Sequence, residues 1–404
     1  MSDAETDAHP RLESTGTGSP GPGERTRLLY AVSGGFGTIG LGLLCMSPLL
    51  PAIIADLEVT AFQAGLGLSI MWGLNAIGQY PGGRISDETG RKTVLVVALL
   101  GFVAGFAVVV ASSTFLGYLI GVAVVGICSG AYPATGYTYL SELYSHRRGK
   151  AFGIYTGLWD VGGGVSAGVA AAAISLGEWR LAFPPIAVLA VLVASLIHRW
   201  SAEPYAFVRV SFDFRETVRR TLATREIVAL VVAYCLFMIV WQGSVGFLPT
   251  FLQHERGLSS GVAATAFASL FAVGMVAKPV AGHLADRFGH LRLSLCSLAL
   301  GVAGLCVVSV AGSTPVLLAG VVVFAAGLMS FTPPMLAHVT SLLPDVRAGG
   351  DLGAFRTVYM SVGSLGSTYV GFVADATSYS VAFAGLLVAL FACAALVLLV
   401  FRRG

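Results

Sequence analysis

The chain is a succession of apolar stretches, most of them 20 residues or more, broken by short polar connections. A helix rises 1.5 Å per residue, so about 20 apolar residues cross a hydrocarbon core about 30 Å thick. Inside that core every backbone N–H and C=O must find its partner within the segment, which makes helices of these stretches. Six fall in the first half, over 28–54, 61–85, 93–112, 115–140, 151–175 and 181–200. Six more cover 227–252, 261–285, 293–312, 315–340, 352–376 and 380–401. Composition agrees, with 11% charged residues against about 25% in a soluble domain. A surface with so few charges must be covered largely by lipid. The expected fold is an all-α integral membrane protein with twelve transmembrane helices.

Lysine and arginine placement sets the orientation. The side shared by both termini carries Arg84, Arg91, Lys92, Arg147, Arg148, Lys150 and most of the remaining basic residues, whereas the opposite side holds only Arg180 and Arg256. Both termini are therefore expected in the cytoplasm, with the chain multi-pass in the cell (plasma) membrane. Residues 1–27, rich in Ser, Thr, Gly and Pro, read as a disordered cytoplasmic tail and lack the basic-then-apolar order of a signal peptide. Residues 28–200 form a first set of six helices and 227–404 a second. The polar linker between them, 201–226, should carry an amphipathic helix over 212–222.

Several function classes drop out. The basic residues are dispersed among loops, so no nucleic-acid partner is expected. Cys45, Cys128, Cys235, Cys296, Cys306 and Cys393 all lie in apolar runs without a C-x-x-C pair, which points to neither metal nor redox chemistry. No G-x-x-x-x-G-K-[ST] is present, so ATP hydrolysis on this chain is unsupported and no cofactor is expected. No nucleophile–base motif marks an enzyme.

The chain repeats itself. Gly83-Arg84-Ile85-Ser86-Asp87-Glu88-Thr89-Gly90-Arg91-Lys92 returns as Gly282-His283-Leu284-Ala285-Asp286-Arg287-Phe288-Gly289-His290. Further matches follow in order at nearly the same offset: Pro51 with Pro249, Tyr132-Pro133 with Thr332-Pro333, Gly153 with Gly353, and Gly163 with Gly363. Gly90 and Gly289 suit a tight turn, Gly83 and Gly282 suit close approach of neighbouring helices, and Asp87 and Asp286 end a helix at the membrane surface.

The duplicated G-x-x-x-D-x-x-G with its basic residues Arg91, Lys92 and Arg287 resembles the cytoplasmic loop motif of the major facilitator superfamily. The resemblance covers nearly everything from Leu28 to Phe401. It implies two pseudo-symmetric six-helix bundles and secondary active transport of a small molecule, coupled by default to protons. It also implies that each Asp braces its bundle against the other, Asp87 near Gly350 and Asp286 near Lys150. The match departs from the family pattern at Glu88 and His290, where basic residues are usual, and at Val122, where an arginine linked to proton coupling is usual. Gly162-Gly163-Gly164-Val165-Ser166-Ala167-Gly168-Val169 resembles the glycine-rich motif of drug exporters, with Val169 in place of Pro.

Charges within the spans need a reason, since each costs about 2.5–3.5 kcal/mol at a helix centre. Asp160 falls near the midplane of the fifth helix, Lys278 about two turns inside the eighth, and Arg356 about one turn inside the eleventh. The resemblance implies that the fifth helix lies beside the eighth and the second beside the eleventh, so Asp160 is expected to face Lys278 across the bundle interface, and Asn75 and Gln79 to face Arg356. Alternatively Asp160 takes up a proton, while Lys278 or Arg356 binds an anion or snorkels to the surface. The resemblance adds cavity contacts from the first, fourth, seventh and tenth helices: Thr38, Tyr132, Thr135, Tyr234, Trp241, Gln242 and Met335. The cationic pair Lys278 and Arg356 fits uptake of a small organic anion. The glycine-rich fifth helix with Asp160 fits export of a drug or metabolite. A membrane sensor or scaffold that binds without transporting is the alternative of another class.

Overall fold

The computed structural model describes residues 21–144, 148–206, 225–342 and 348–403. Among these residues the regular structure is helical, with no strand. The first six long helices are α1 (Pro22–Asp56), α2 (Ala61–Thr89), α3 (Arg91–Ala111), α4 (Phe115–Leu143), α5 (Arg148–Ser175) and α6 (Phe183–Trp200). The second six are α7 (Arg225–His254), α8 (Ser260–Phe288), α9 (His290–Val310), α10 (Thr314–Leu342), α11 (Ala348–Ala376) and α12 (Tyr379–Arg403). A short 3₁₀ turn, Trp179–Ala182, leads into α6. The expected amphipathic helix over 212–222 lies outside the described residues, as do residues 1–20. The first helix starts at Pro22 rather than at residue 28, because a proline at the first helical position lacks the N–H that would be unpaired there.

Caps on the helices follow local chemistry. Thr60 and Gln63 form a capping box at the start of α2. Thr114 caps α4 and Ser259 caps α8 through their hydroxyls. Both cassette glycines adopt nearly the same left-handed backbone, Gly90 at φ 93° and Gly289 at φ 94°. Each ends one helix and begins the next, its N–H donating to Ser86 O at 3.1 Å or to Ala285 O at 2.9 Å. A residue with a Cβ would be strained there.

The roles of Gly83 and Gly282 differ from the expectation of close approach. A Cβ on Gly83 would meet only the Ala134 methyl at 3.6 Å, and one on Gly282 would meet nothing within 4 Å. The tight approach to α4 is made one residue earlier, at Gly82, where a Cβ would overlap the Ala131 backbone. Sequence position alone misassigned it because adjacent residues on a helix point about 100° apart, so only one of the two glycines lies on the contact line.

Among the described residues, ten of the twelve long helices are apolar enough to cross a membrane; α2 and α11 are the exceptions. Their polarity has a physical cause. These two helices lie against each other along the seam between the halves, so part of each surface faces protein instead of lipid. The other seams pair α5 with α8 and α1 with α7. Within the first half α1 packs on α5 and α6, α2 on α4, and α3 on α4 and α6; the second half repeats this with α7 on α11 and α12, α8 on α10, and α9 on α10 and α12.

The two ends of the bundle are held differently. At the face opposite the termini, called here the far face, Asp375 near the end of α11 accepts from Ala61 N at 3.0 Å and Phe62 N at 2.8 Å. Those are free N–H groups of the first turn of α2, where a carboxylate is favoured by the helix dipole. Slightly deeper, Ser69 Oγ donates to Ser364 O at 2.6 Å and accepts from Thr368 N at 3.0 Å. Gly65 lies against Ser367 O and Gly371 against Ala61 O, so closely that neither position has room for a Cβ. The two halves are therefore zipped at the far face.

At the terminus-bearing face, Asp87 pairs with Arg91 of its own half at 2.6 Å. Arg91 also donates to Ser86 Oγ at 2.8 Å and Glu142 at 2.9 Å. Asp286 is exposed and takes no partner among the described residues. Among the described residues neither carboxylate reaches across to the other half. Among these residues the brace implied by the family resemblance is not engaged in this conformation, which is closed at the far face.

Candidate functional site

The chemistry collects midway along the seams. Asp160 lies twelve residues beyond the start of α5 at Arg148, about 18 Å along the axis. Lys278 lies ten residues before the end of α8 at Phe288, about 15 Å in. Packing of α5 on α8, helped by Gly163 against the Phe271 ring, brings the two side chains together. Lys278 Nζ donates to Asp160 Oδ1 at 2.6 Å and Oδ2 at 2.8 Å. The carboxylate side chain is 4% exposed and the ammonium side chain 30%. The lysine thus spends its charge on Asp160 instead of snorkelling to the surface. Breaking a buried pair by removing one partner costs about 3–5 kcal/mol; the partial exposure of Lys278 places this pair toward the lower end.

Arg356 stands eight residues into α11, counted from Ala348, about 12 Å deep. That is deeper than the one turn expected from sequence, because α11 begins before residue 352. The phenols of Tyr137, Tyr155, Tyr234 and Tyr359 stand within electrostatic reach of its guanidinium, Tyr137 within hydrogen-bonding reach, and its Nε has no hydrogen-bond partner. Two of these phenols are fixed by proline-containing helices. Tyr155 donates to Pro133 O of α4 and Tyr234 to Thr332 O of α10, each at 3.3 Å. A hydroxyl whose hydrogen is used this way keeps its lone pairs free for another donor. Phenols satisfy donors but bring no countercharge. Asp160 and Lys278 cancel, so the described side chains of this centre carry one uncompensated positive charge. Tyr137 is within electrostatic reach of both Arg356 and Asp160, which makes the ion pair and the arginine one polar centre.

Asn75 and Gln79 do not face Arg356. Asn75 Nδ2 donates to Ser129 Oγ within its own half at 2.9 Å, and Gln79 Nε2 reaches Met360 Sδ at 3.1 Å across the seam. Tyr132 is fully buried and donates to Val32 O at 2.9 Å, which makes it a tie between α4 and α1. Thr38 and Thr135 return their hydroxyls to carbonyls of their own helices. Met335 is packed in the core. Gln242 is buried, and its Oε1 has no partner. Trp241 is partly accessible and meets Trp72 edge-on at 5.8 Å across the two halves. Lys92, expected in the cytoplasmic loop motif, turns to the linker. Its Nζ donates to Ser201 O at 2.8 Å while its backbone N–H donates to Glu203 at 2.9 Å, fastening the start of the linker. Arg287 and His338 lie toward the terminus-bearing face, His338 3.8 Å from Glu226.

Sequence reading missed Tyr137, Tyr155 and Tyr359, and the rings of Phe36, Trp72 and Trp159. Two local signals were available: Trp159 directly precedes Asp160, and Tyr359 follows Arg356 by three residues, on the same helix face.

A pseudo-symmetric pair of six-helix bundles, meeting around a charged and partly accessible centre within the membrane, defines a multi-pass membrane transporter. The family model of the Major Facilitator Superfamily matches residues 32–367 and 230–404, and the chain belongs to that family. It is a transporter of small-molecule substrates and not an enzyme. Among curated relatives, it is 26% identical over 305 residues to the "Probable 4-methylmuconolactone transporter" of Cupriavidus pinatubonensis, covering 69% of this chain and 68% of that one. It is also 26% identical over 368 residues to the "Uncharacterized MFS-type transporter YwfA" of Bacillus subtilis, covering 87% of each. Among solved structures, a bacterial homolog of the human lysosomal transporter Spinster, inward-facing and occupied, superposes with a TM-score of 0.82 at 16% identity, covering 95% of this chain and 98% of that one. That likeness concerns the fold.

Proposed function

We propose that this chain is a secondary active transporter that carries a small organic anion, bound at Arg356 and exchanged between the two faces by rocking of the halves. The observation that carries the reading is the uncompensated guanidinium of Arg356, which lies inside the membrane within electrostatic reach of neutral phenols from both halves. A lone cation there is costly unless something brings it a countercharge, and an anionic substrate does so. Tyr137 and Tyr155 belong to the first half; Tyr234, Tyr359 and Arg356 belong to the second. An anion at the guanidinium changes the contacts that join the halves. A ligand shifts a conformational equilibrium only through such differential contacts.

The Asp160–Lys278 pair is the second moving part in this reading. Protonation of Asp160 would release Lys278 and loosen the α5–α8 seam, which gives a coupling proton a mechanical effect. We place both termini in the cytoplasm of a plasma-membrane protein, on the strength of the arginine and lysine bias. In that orientation the zipped far face is the outer one, and we read the conformation as facing the cytoplasm. The relative called a 4-methylmuconolactone transporter is compatible with carriage of a small organic solute.

The test is a thermal-shift screen of detergent-purified protein against anionic, cationic and neutral metabolites, since a ligand at 100 times its Kd stabilises by about 2.7 kcal/mol. Anions should raise Tm in the wild type and fail to do so in Arg356→Gln. Hits confined to cations, or anion hits retained in Arg356→Gln, would overturn the reading.

A further inference from the structure

The surroundings of Arg356 say more about its ligand than its charge does. Tyr155 stacks on Phe36 at 4.3 Å between ring centroids and 10° between planes. Phe36 meets Trp159 at 4.7 Å, Trp159 meets Trp72 at 6.4 Å, and Trp72 meets Trp241 at 5.8 Å. Tyr137 joins the same run, edge-on to Tyr155 at 4.9 Å. The rings thus form a continuous path from the phenols of Arg356 to the contact between α2 and α7. Four helices of the first half and one of the second contribute to it.

Among the described residues Trp241 ends the path with Trp72 as its one ring partner, while the other rings each meet two. Tyr137, Trp159 and Trp241 remain partly accessible, as does Arg356, while Phe36, Trp72 and Tyr155 are buried behind them. Aliphatic side chains would have filled a purely structural seam with less demand on geometry. An accessible wall of tryptophan and tyrosine instead offers flat apolar area at low conformational cost, with hydroxyl and indole N–H groups for polar substituents. The charge count sets the other requirement. With Asp160 and Lys278 cancelling, the centre calls for one negative charge.

We infer that the substrate is a planar aromatic monocarboxylate, its carboxylate on Arg356 and its ring against Trp159 and Trp241. This inference rests on the anion reading of Arg356 and narrows it. A carboxylate accepts two parallel N–H bonds from a guanidinium, which fixes one end of the ligand. The negative faces and positive edges of the aromatic wall then favour a ring in offset or edge-on contact over a saturated body of the same size.

The test is isothermal titration of the full-length purified protein with four matched probes. Benzoate carries charge and ring; cyclohexanecarboxylate carries charge without aromaticity; benzamide carries the ring without charge; benzylamine reverses the charge. The inference predicts that benzoate binds about tenfold more tightly than cyclohexanecarboxylate, the scale of an aromatic contact beyond its area. Benzamide and benzylamine should bind too weakly to measure. Trp159→Leu should erase the preference for benzoate while leaving cyclohexanecarboxylate binding intact, and Arg356→Gln should abolish both. Equal binding of the two carboxylates, with loss of both in Arg356→Gln, would overturn the aromatic inference and leave the anion reading standing. Binding of benzylamine, or of neither carboxylate, would overturn both. Size-exclusion profile and unliganded Tm, unchanged in Trp159→Leu, separate a lost contact from a lost fold; should that variant misfold, Trp241→Leu carries the same prediction.

Discussion

The far-face zipper can be opened by one methyl group. At Gly371 an added Cβ would sit inside van der Waals distance of the Ala61 carbonyl oxygen, its carbon and the Phe62 Cα. All three are backbone atoms, so no rotamer change relieves the overlap, and α2 and α11 must move apart. Overpacking of this kind costs about 1–3 kcal/mol. The cost falls on the far-face-closed state alone, because the two helices part when that face opens. At about 1.4 kcal/mol per tenfold, Gly371→Ala should shift the balance between the two states by roughly 5-fold to 140-fold toward far-face opening. Pulsed electron paramagnetic resonance between spin labels at Glu58→Cys and Ser313→Cys, on the far-face loops of the two halves, reads this directly. A longer-distance population should appear or grow in Gly371→Ala. A folded, monodisperse variant with an unchanged distance distribution would refute the zipper argument, since the overlap would then have been absorbed without separating the halves.

Other consequences follow from the same geometry. Asp375→Asn removes a charge that accepts two N–H groups of α2, and should shift the same label distances in the same direction by a smaller factor, about threefold to tenfold for roughly 1 kcal/mol; no shift would assign Asp375 to the surface alone. Asp160→Asn should lower Tm by leaving Lys278 unpaired, and adding Lys278→Met should recover much of the loss; additive losses in the double variant would argue against a coupled pair. Arg256 donates to Val308 O at 2.9 Å and to Ser309 O and Ala311 O at the end of α9. Arg256→Ala should therefore destabilise the second half by about 1–2 kcal/mol through uncapped carbonyls, seen as a lower Tm with ligand affinity preserved; lost affinity at unchanged Tm would contradict a purely structural role.

How much of this could be read in the chain depends on the range of the interaction. Helix number and the turn at Gly90 and Gly289 are local consequences of apolar length and backbone freedom, and both are plain in the residues. The positions of Asp160 and Lys278 along their helices were also legible, because a charge inside an apolar run stands out. What was not legible is which face a side chain presents after two helices pack. Asn75 turns to Ser129 and Tyr132 to Val32 O because α2, α1 and α4 approach closely there, a fact with no marker beside either residue. Gly82 was overlooked for Gly83 for the same reason. The phenols around Arg356 come from α4, α5, α7 and α11, far apart in sequence, and only the packed seams bring them together. Asp375 looks like any carboxylate at the end of a span until α2 is placed beside it.

Counterflow in proteoliposomes tests the central claim most directly, because exchange of labelled for unlabelled substrate requires the site and the rocking motion but no particular coupling ion. Liposomes loaded with unlabelled benzoate or acetate would be diluted into trace radiolabelled anion of the same kind. The account predicts transient accumulation with wild-type protein and none beyond empty liposomes with Arg356→Gln, for whichever anion is carried. Accumulation that is equal in wild type and Arg356→Gln, or absent for both anions in the wild type, would contradict it.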